Sequence, residues 1–277
     1  MINVNYVGRM GNNMFQYALG RILAENKNVR LNAPPIEGFP NTFDSVNADN
    51  MIETDPLLFK DHVLKINDNN VSVDDIINIE NRAICLDGWF QRYEYYKDHK
   101  EDIRKWFEVE DLDVGQTEND IIIHLRMGDC ITGSLAQDPY VMPVDYFNKS
   151  LESTSFDKLY VCSDPETLTH PLFQYYIENF KDHNPIVLNG DTMGDFRAIK
   201  SFNKIIMSQS TFSWWGAFLS KANEVFIPVP MAGIHTNEWS LASENVAMFV
   251  DDESRYKYIK EYEDGWKLVN LQDIPER

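Results

Sequence analysis

Apolar and polar residues alternate from Ile2 to Val7 in the manner of a strand, GRMGNN interrupts them, and Met14 to Glu25 (MFQYALGRILAE) continues at helical spacing. The opening therefore predicts a strand, a glycine turn and a helix. From Asn32 to Phe59 prolines and polar residues follow without sustained periodicity, which predicts loop-rich cover. AICLDGWF (83–90) predicts a strand and Gln91 to Trp106 a helix; the acidic stretch from Glu108 to Asp120 then marks a boundary between halves. Beyond it the rhythm is regular. Strands are predicted at 121–125, 158–162, 185–188, 204–208 and 224–228, with helices near 143–153, 166–179, 195–201 and 212–221. Short apolar strands alternating with amphipathic helices imply an α/β protein with a parallel, doubly wound sheet. Ligands of such sheets bind beyond the carboxyl ends of the strands.

Composition narrows the partners. The 277 residues carry 25 Lys plus Arg against 44 Asp plus Glu, a formal charge of −19, which opposes capture of nucleic acid or anionic lipid. Any phosphate site must therefore be local. Three scattered cysteines form neither a disulfide framework nor a paired metal signature. With no leader-like N-terminus and no apolar run of membrane-span length, the expected setting is the cytoplasm.

Three segments fall where a site is expected. Gly8 to Gln16 joins strand to helix: its glycines permit close backbone approach, and Asn12 and Gln16 offer amides, although a plain tight turn reads equally well. In IIIHLRMGDC, alternation puts His124 and Arg126 on one face near a strand end, and Gly128 and Asp129 then turn the chain. An arginine fork suits a diphosphate, being permanently charged and donating in pairs. The plainer alternatives are that Arg126 and Asp129 neutralise each other and that His124 is a core histidine. Ser208 to Gly216 (SQSTFSWWG) gathers hydroxyls and first-turn N–H groups at a helix start, where the macrodipole favours an anion without net positive charge. An N-cap is the commoner role for a serine such as Ser210, and Trp214 and Trp215 read as core.

Together these segments resemble glycosyltransferase family 11, the α-1,2-fucosyltransferases. GRMGNNMFQYALGR is similar to the family's GxxGNQMFQYA, GWFQRYEYY to its G-Y/W-F-Q segment, and HLRMGD to its HxRRGD. DFRAIKSFNKIIMSQSTFSWWGAFLS resembles the long segment ending in NSTFSWWGAWL, and LYVCSDP stands where the family has a strand ending in Ser-Asp. The chain departs from the pattern at Met127 (the second Arg of HxRRGD), Asn13 (Gln), Gln209 (Asn) and Asn203 (Cys).

The resemblance implies a GT-B architecture, two Rossmann-like domains facing across a cleft, with an acceptor-side domain at 1–115 and a GDP-sugar-binding domain at 116–277. It implies an inverting enzyme that moves L-fucose from GDP-β-L-fucose to the 2-hydroxyl of a terminal galactose in a glycan acceptor, without metal or other cofactor. Arg126 would bind the diphosphate and Asp129 would be the catalytic base or else hold Arg126 in place. His124, Asp195, Ser210, Thr211, Phe212 and Ser213 would complete the donor site, and Gly11, Asn12 and Gln16 would line the cleft. Acceptor choice would lie in the loops at 32–60 and 131–142. Met127 raises the alternative of another nucleotide-sugar donor; a catalytically dead glycan-binding protein is the alternative from a different class.

Overall fold

The computed structural model describes residues 1–43, 63–67, 73–80, 83–131, 141–228 and 254–259. Most of both proposed acceptor loops, and the tail beyond Ile259, lie outside the described residues. The described residues divide into two compact units, those up to Val109 in one and those from Glu110 onward in the other.

The first unit contains β1 (Ile2–Val4), α1 (Met10–Lys27), β2 (Leu31–Asn32), β3 (Leu64–Ile66), α2 (Val73–Asn78), β4 (Ile84–Leu86) and α3 (Lys100–Trp106). Its four strands are parallel in the order β2-β1-β4-β3. Ile2, Val4, Leu31, Ile66, Ile84 and Leu86 are buried, as are Phe15, Ala18, Leu19 and Ile22 of α1. The helix expected over 91–106 is instead two 3-10 turns followed by α3. Tyr93, Tyr95 and Tyr96 are all buried there, and an α-helix cannot turn three so closely spaced aromatics toward one core.

The second unit contains β5 (Ile121–Leu125), α4 (Gly128–Ile131), α5 (Val144–Glu152), β6 (Leu159–Ser163), α6 (Pro171–Asn179), β7 (Ile186–Val187), α7 (Thr192–Ser201), β8 (Lys204–Ile206), α8 (Thr211–Leu219), β9 (Glu224–Pro228) and β10 (Tyr256–Ile259). All six strands are parallel, in the order β10-β9-β8-β5-β6-β7. Counting from β5 as the first strand, this is the 3-2-1-4-5-6 order of a Rossmann sheet, whose ligand crevice opens where the chain reverses direction. Here the reversal lies between β5 and β8.

Alternation along β5 sorts the core. Ile121, Ile123, Leu125 and then Met127 join an apolar cluster with Tyr146, Phe147 and Leu151 of α5 and Leu172, Phe173 and Tyr176 of α6. His124 faces the opposite side, its ring 5.4 Å from that of Phe212 in α8. Met127 is wholly buried. The departure from the family's second arginine is thus a core residue.

Candidate active site

A serine bridges the strand ends at the switch point of the second unit. Ser208, just past β8, donates through Oγ to the His124 carbonyl (2.5 Å) and accepts the Arg126 N–H (3.1 Å), extending the tie between β5 and β8 beyond the last ladder pair. Arg126 follows β5, and its Nη1 donates to the Gln209 carbonyl at 2.9 Å. The guanidinium is thus held at the strand ends beside the start of α8.

Ser210 occupies the N-cap position of α8, but its hydroxyl makes no capping hydrogen bond. Ser213 is fully buried, and its Oγ donates to the Ser208 and Ser210 carbonyls. It braces the turn from inside. Thr211 and Phe212 begin the helix and are half-buried. Behind them Trp214 and Trp215 are 1% and 0% exposed, as expected of core residues, and Trp214 stacks on Phe218 with ring centroids 4.8 Å apart. First-turn amides of a helix have no intrahelical acceptor, so this end presents N–H groups and the positive end of the macrodipole.

Asp195 lies on the first turn of α7, 6% exposed. Burial above all, then the negative charges of Asp164 and Asp191, pushes its carboxyl from an ordinary 3.8 up to about 7, against the opposing hydrogen bond from the Gly190 N–H. With the pKa raised, the folded chain holds a proton that the unfolded chain releases between about pH 4 and pH 7. The group therefore costs stability progressively as pH rises through that window and costs most above it. Asp195→Asn is expected to gain in melting temperature relative to wild type between pH 5 and pH 8; a constant difference would contradict this. Asp129 belongs to α4, and its side chain lies outside the described residues.

In the first unit the two other motif segments interlock. α1 begins at Met10, four residues earlier than its apolar spacing indicated, so Gly11 and Asn12 sit on its first turn. Asn12 Oδ1 accepts from Gln91 Nε2 at 2.9 Å. Gly8 has φ +83°, and a Cβ there would lie 2.1 Å from Asn12 Nδ2 and 2.9 Å from Trp89. Only glycine combines that backbone with that approach. Phe90, buried and not glycine, is also left-handed at φ +53°, and the Tyr96 hydroxyl donates to its carbonyl at 2.6 Å.

Gln16 was placed on the cleft lining by resemblance, but it is fully buried. Its Oε1 accepts the Val7 N–H, and its Nε2 donates to the Val7 and Gly88 carbonyls. It ties the Gly8 turn to the Gly88 turn from behind. Gln16→Leu is expected to lower stability by about 1–3 kcal/mol through the unpaired backbone groups, read as a shift in urea midpoint at constant slope. An unchanged midpoint would show that water replaces these bonds.

A parallel α/β sheet with an arginine, a helix terminus and a buried carboxylate at its switch point defines a candidate site for a phosphorylated ligand. The family named glycosyl transferase family 11 matches residues 84–235, more than half of the chain, and the chain belongs to it. This protein is a glycosyltransferase. It is also similar to an alpha-1,2-colitosyltransferase from Escherichia coli, 24% identical over 253 residues that cover 76% of this chain and 85% of the relative. No solved structure matches it significantly. Among the described residues no helix is long and apolar enough to cross a membrane, and no three His, Cys, Asp or Glu side chains are grouped to hold a metal ion.

Proposed function

We propose that the protein is an inverting α-1,2-fucosyltransferase, moving L-fucose from GDP-β-L-fucose to the 2-hydroxyl of a terminal galactose in a glycan. The observation that carries this reading is Arg126, held by the Gln209 carbonyl beside the N-terminus of α8 at the β5/β8 switch point. In a chain of net charge −19 this is a local positive site of the kind a nucleoside diphosphate requires.

In the reaction the acceptor hydroxyl oxygen bonds to the anomeric carbon from the face opposite GDP, while the bond from that carbon to the β-phosphate oxygen breaks. The hydroxyl proton passes to a carboxylate, and the bonding pair leaves with GDP. Charge grows on the β-phosphate in the transition state, where Arg126 and the first-turn amides of α8 stabilise it. These groups supply the stabilisation without a metal ion. His124, Asp195, Ser210, Thr211 and Phe212 would contact or shape the donor site, with Ser213 bracing its turn.

Asp129 is the proposed base. Asp129→Asn is expected to lower turnover by roughly 10²- to 10⁴-fold with GDP affinity preserved. Retention of most activity would remove Asp129 from the role.

The name of the E. coli relative favours one second reading, a donor carrying colitose in place of fucose. Isothermal titration in EDTA with GDP, GDP-fucose, GDP-colitose, GDP-mannose and UDP-galactose, followed by linkage analysis of the product on a β-galactoside, separates the two. GDP-fucose binding and an α-1,2-linked fucoside are expected. GDP binding without fucosyl transfer would move the proposal to another GDP-sugar, and activity that returns only with Mn²⁺ would overturn metal independence.

A further inference from the structure

Asp164, at the end of β6 on the switch-point edge of the sheet, belongs to none of the roles above. The Gly128 N–H donates to its Oδ2 at 2.9 Å. A Cβ on Gly128 would lie 2.6 Å from the Asp164 carboxyl carbon and 2.8 Å from each oxygen, so the backbone after Arg126 is pressed directly onto this carboxylate. Asp164 is itself fixed. Thr167 donates to its carbonyl through both N–H (2.9 Å) and Oγ1 (2.7 Å), and neighbouring Ser163 donates to the Leu125 carbonyl at 2.7 Å. The carboxylate is also near enough to Asp195 and Cys162 to act on both by charge.

We propose that Asp164 is a positioning residue for the transfer reaction, its carboxylate clamping the Gly128 peptide and so fixing the turn that carries Arg126 and Asp129. The inference rests on the fucosyltransferase reading for the reaction it serves, but the clamp is a property of the free protein. It has two separable parts. As a hydrogen-bond acceptor, Asp164 sets the course of the chain immediately after Arg126, where misplacement of about 1 Å costs on the order of 10²-fold in rate. As a charge, it faces Asp195 together with Asp191 at the N-cap of α7, Cys162 on β6 and the opposing Gly190 N–H, and it helps hold Asp195 protonated near neutrality.

Steric contact supplies a sharp test. Gly128→Ala should drive the carboxylate off the peptide and lower turnover about 10²-fold, as should Asp164→Ala. In the double variant the new methyl has room, so its activity should be no worse than that of Asp164→Ala alone. Losses that multiply, or an Asp164→Ala enzyme with wild-type kcat/KM, would overturn the clamp.

Asp164→Asn keeps an oxygen for the Gly128 N–H and the side-chain shape, which serves if the alanine variants fold poorly by circular dichroism. It should retain most turnover while the Asp195 carboxyl, followed by ¹³C NMR without substrate, titrates at lower pH than in wild type. An unmoved titration would overturn the electrostatic part. GDP affinity is read alongside turnover through the whole cycle. If wild type transfers no fucose, the functional reading fails, while the titration and the GDP cycle still decide whether Asp164 holds this turn.

Discussion

Arg126→Ala is expected to lower glycosyl transfer roughly 10²- to 10³-fold, the usual cost of removing one preorganised group that meets developing charge. The melting temperature should change little, because Arg126 is half-buried and its described side-chain bond to the Gln209 carbonyl lies on the crevice edge. Arg126→Lys should recover only a small part of the loss. An ammonium carries the charge but lacks the planar fork that reaches the Gln209 carbonyl and a diphosphate together. Steady-state kinetics with GDP titrations would distinguish binding from chemistry. Near wild-type turnover in Arg126→Ala would remove the central element of the proposed mechanism.

The second large effect is on stability. Trp214→Ala is expected to cost about 3–5 kcal/mol, since a fully buried indole leaves a cavity that its surroundings refill incompletely. Trp214 stacks on Phe218 and meets Trp215 edge-on at 5.1 Å, so the three rings form a block along α8. Losses of that size are a large fraction of the ~5–15 kcal/mol that holds a typical domain together. The block also anchors the helix whose first turn faces the crevice, so GDP affinity should fall with stability. A urea midpoint shifted by the equivalent of less than ~1 kcal/mol would show that the site collapses around the deletion.

How much of this the sequence discloses depends on burial. β5 and β9 are found at the residues their apolar runs marked, because strands of a parallel sheet covered on both faces read as continuous Ile and Val. β2 and β3, two and three residues long, flank the aperiodic stretch from Asn32 to Phe59 and lack the longer apolar runs that mark β1 and β4. The apolar spacing marks the α1 start late because Gly11, Asn12 and Asn13 are poor helix formers, yet they lie on its first turn. β10 (YKYI) carries no apolar run in its acidic, lysine-bearing stretch, since an edge strand needs only part of its surface buried.

The candidate site divides in the same way. Arg126 and His124 were placed by alternation, which the strand obeys. Gln16 is visible as an amide but not as a buried one, because its partners are backbone groups nine or more residues away that no side-chain pattern records. Asp164 was visible in LYVCSDP, and its importance was not: it depends on the absence of a Cβ at Gly128, 36 positions earlier.

The chain just after β5 divides two duties between adjacent residues: Arg126 bonds the Gln209 carbonyl at the crevice edge, and Met127 enters the apolar cluster. Under the proposed mechanism, position 127 is constrained by packing and position 126 by chemistry, so this sheet can be repacked while the transfer step is left intact. Divergence at position 127 across relatives is therefore expected to track the volumes of the other members of that cluster, Met142 and Tyr146 among them, independently of which sugar each enzyme moves.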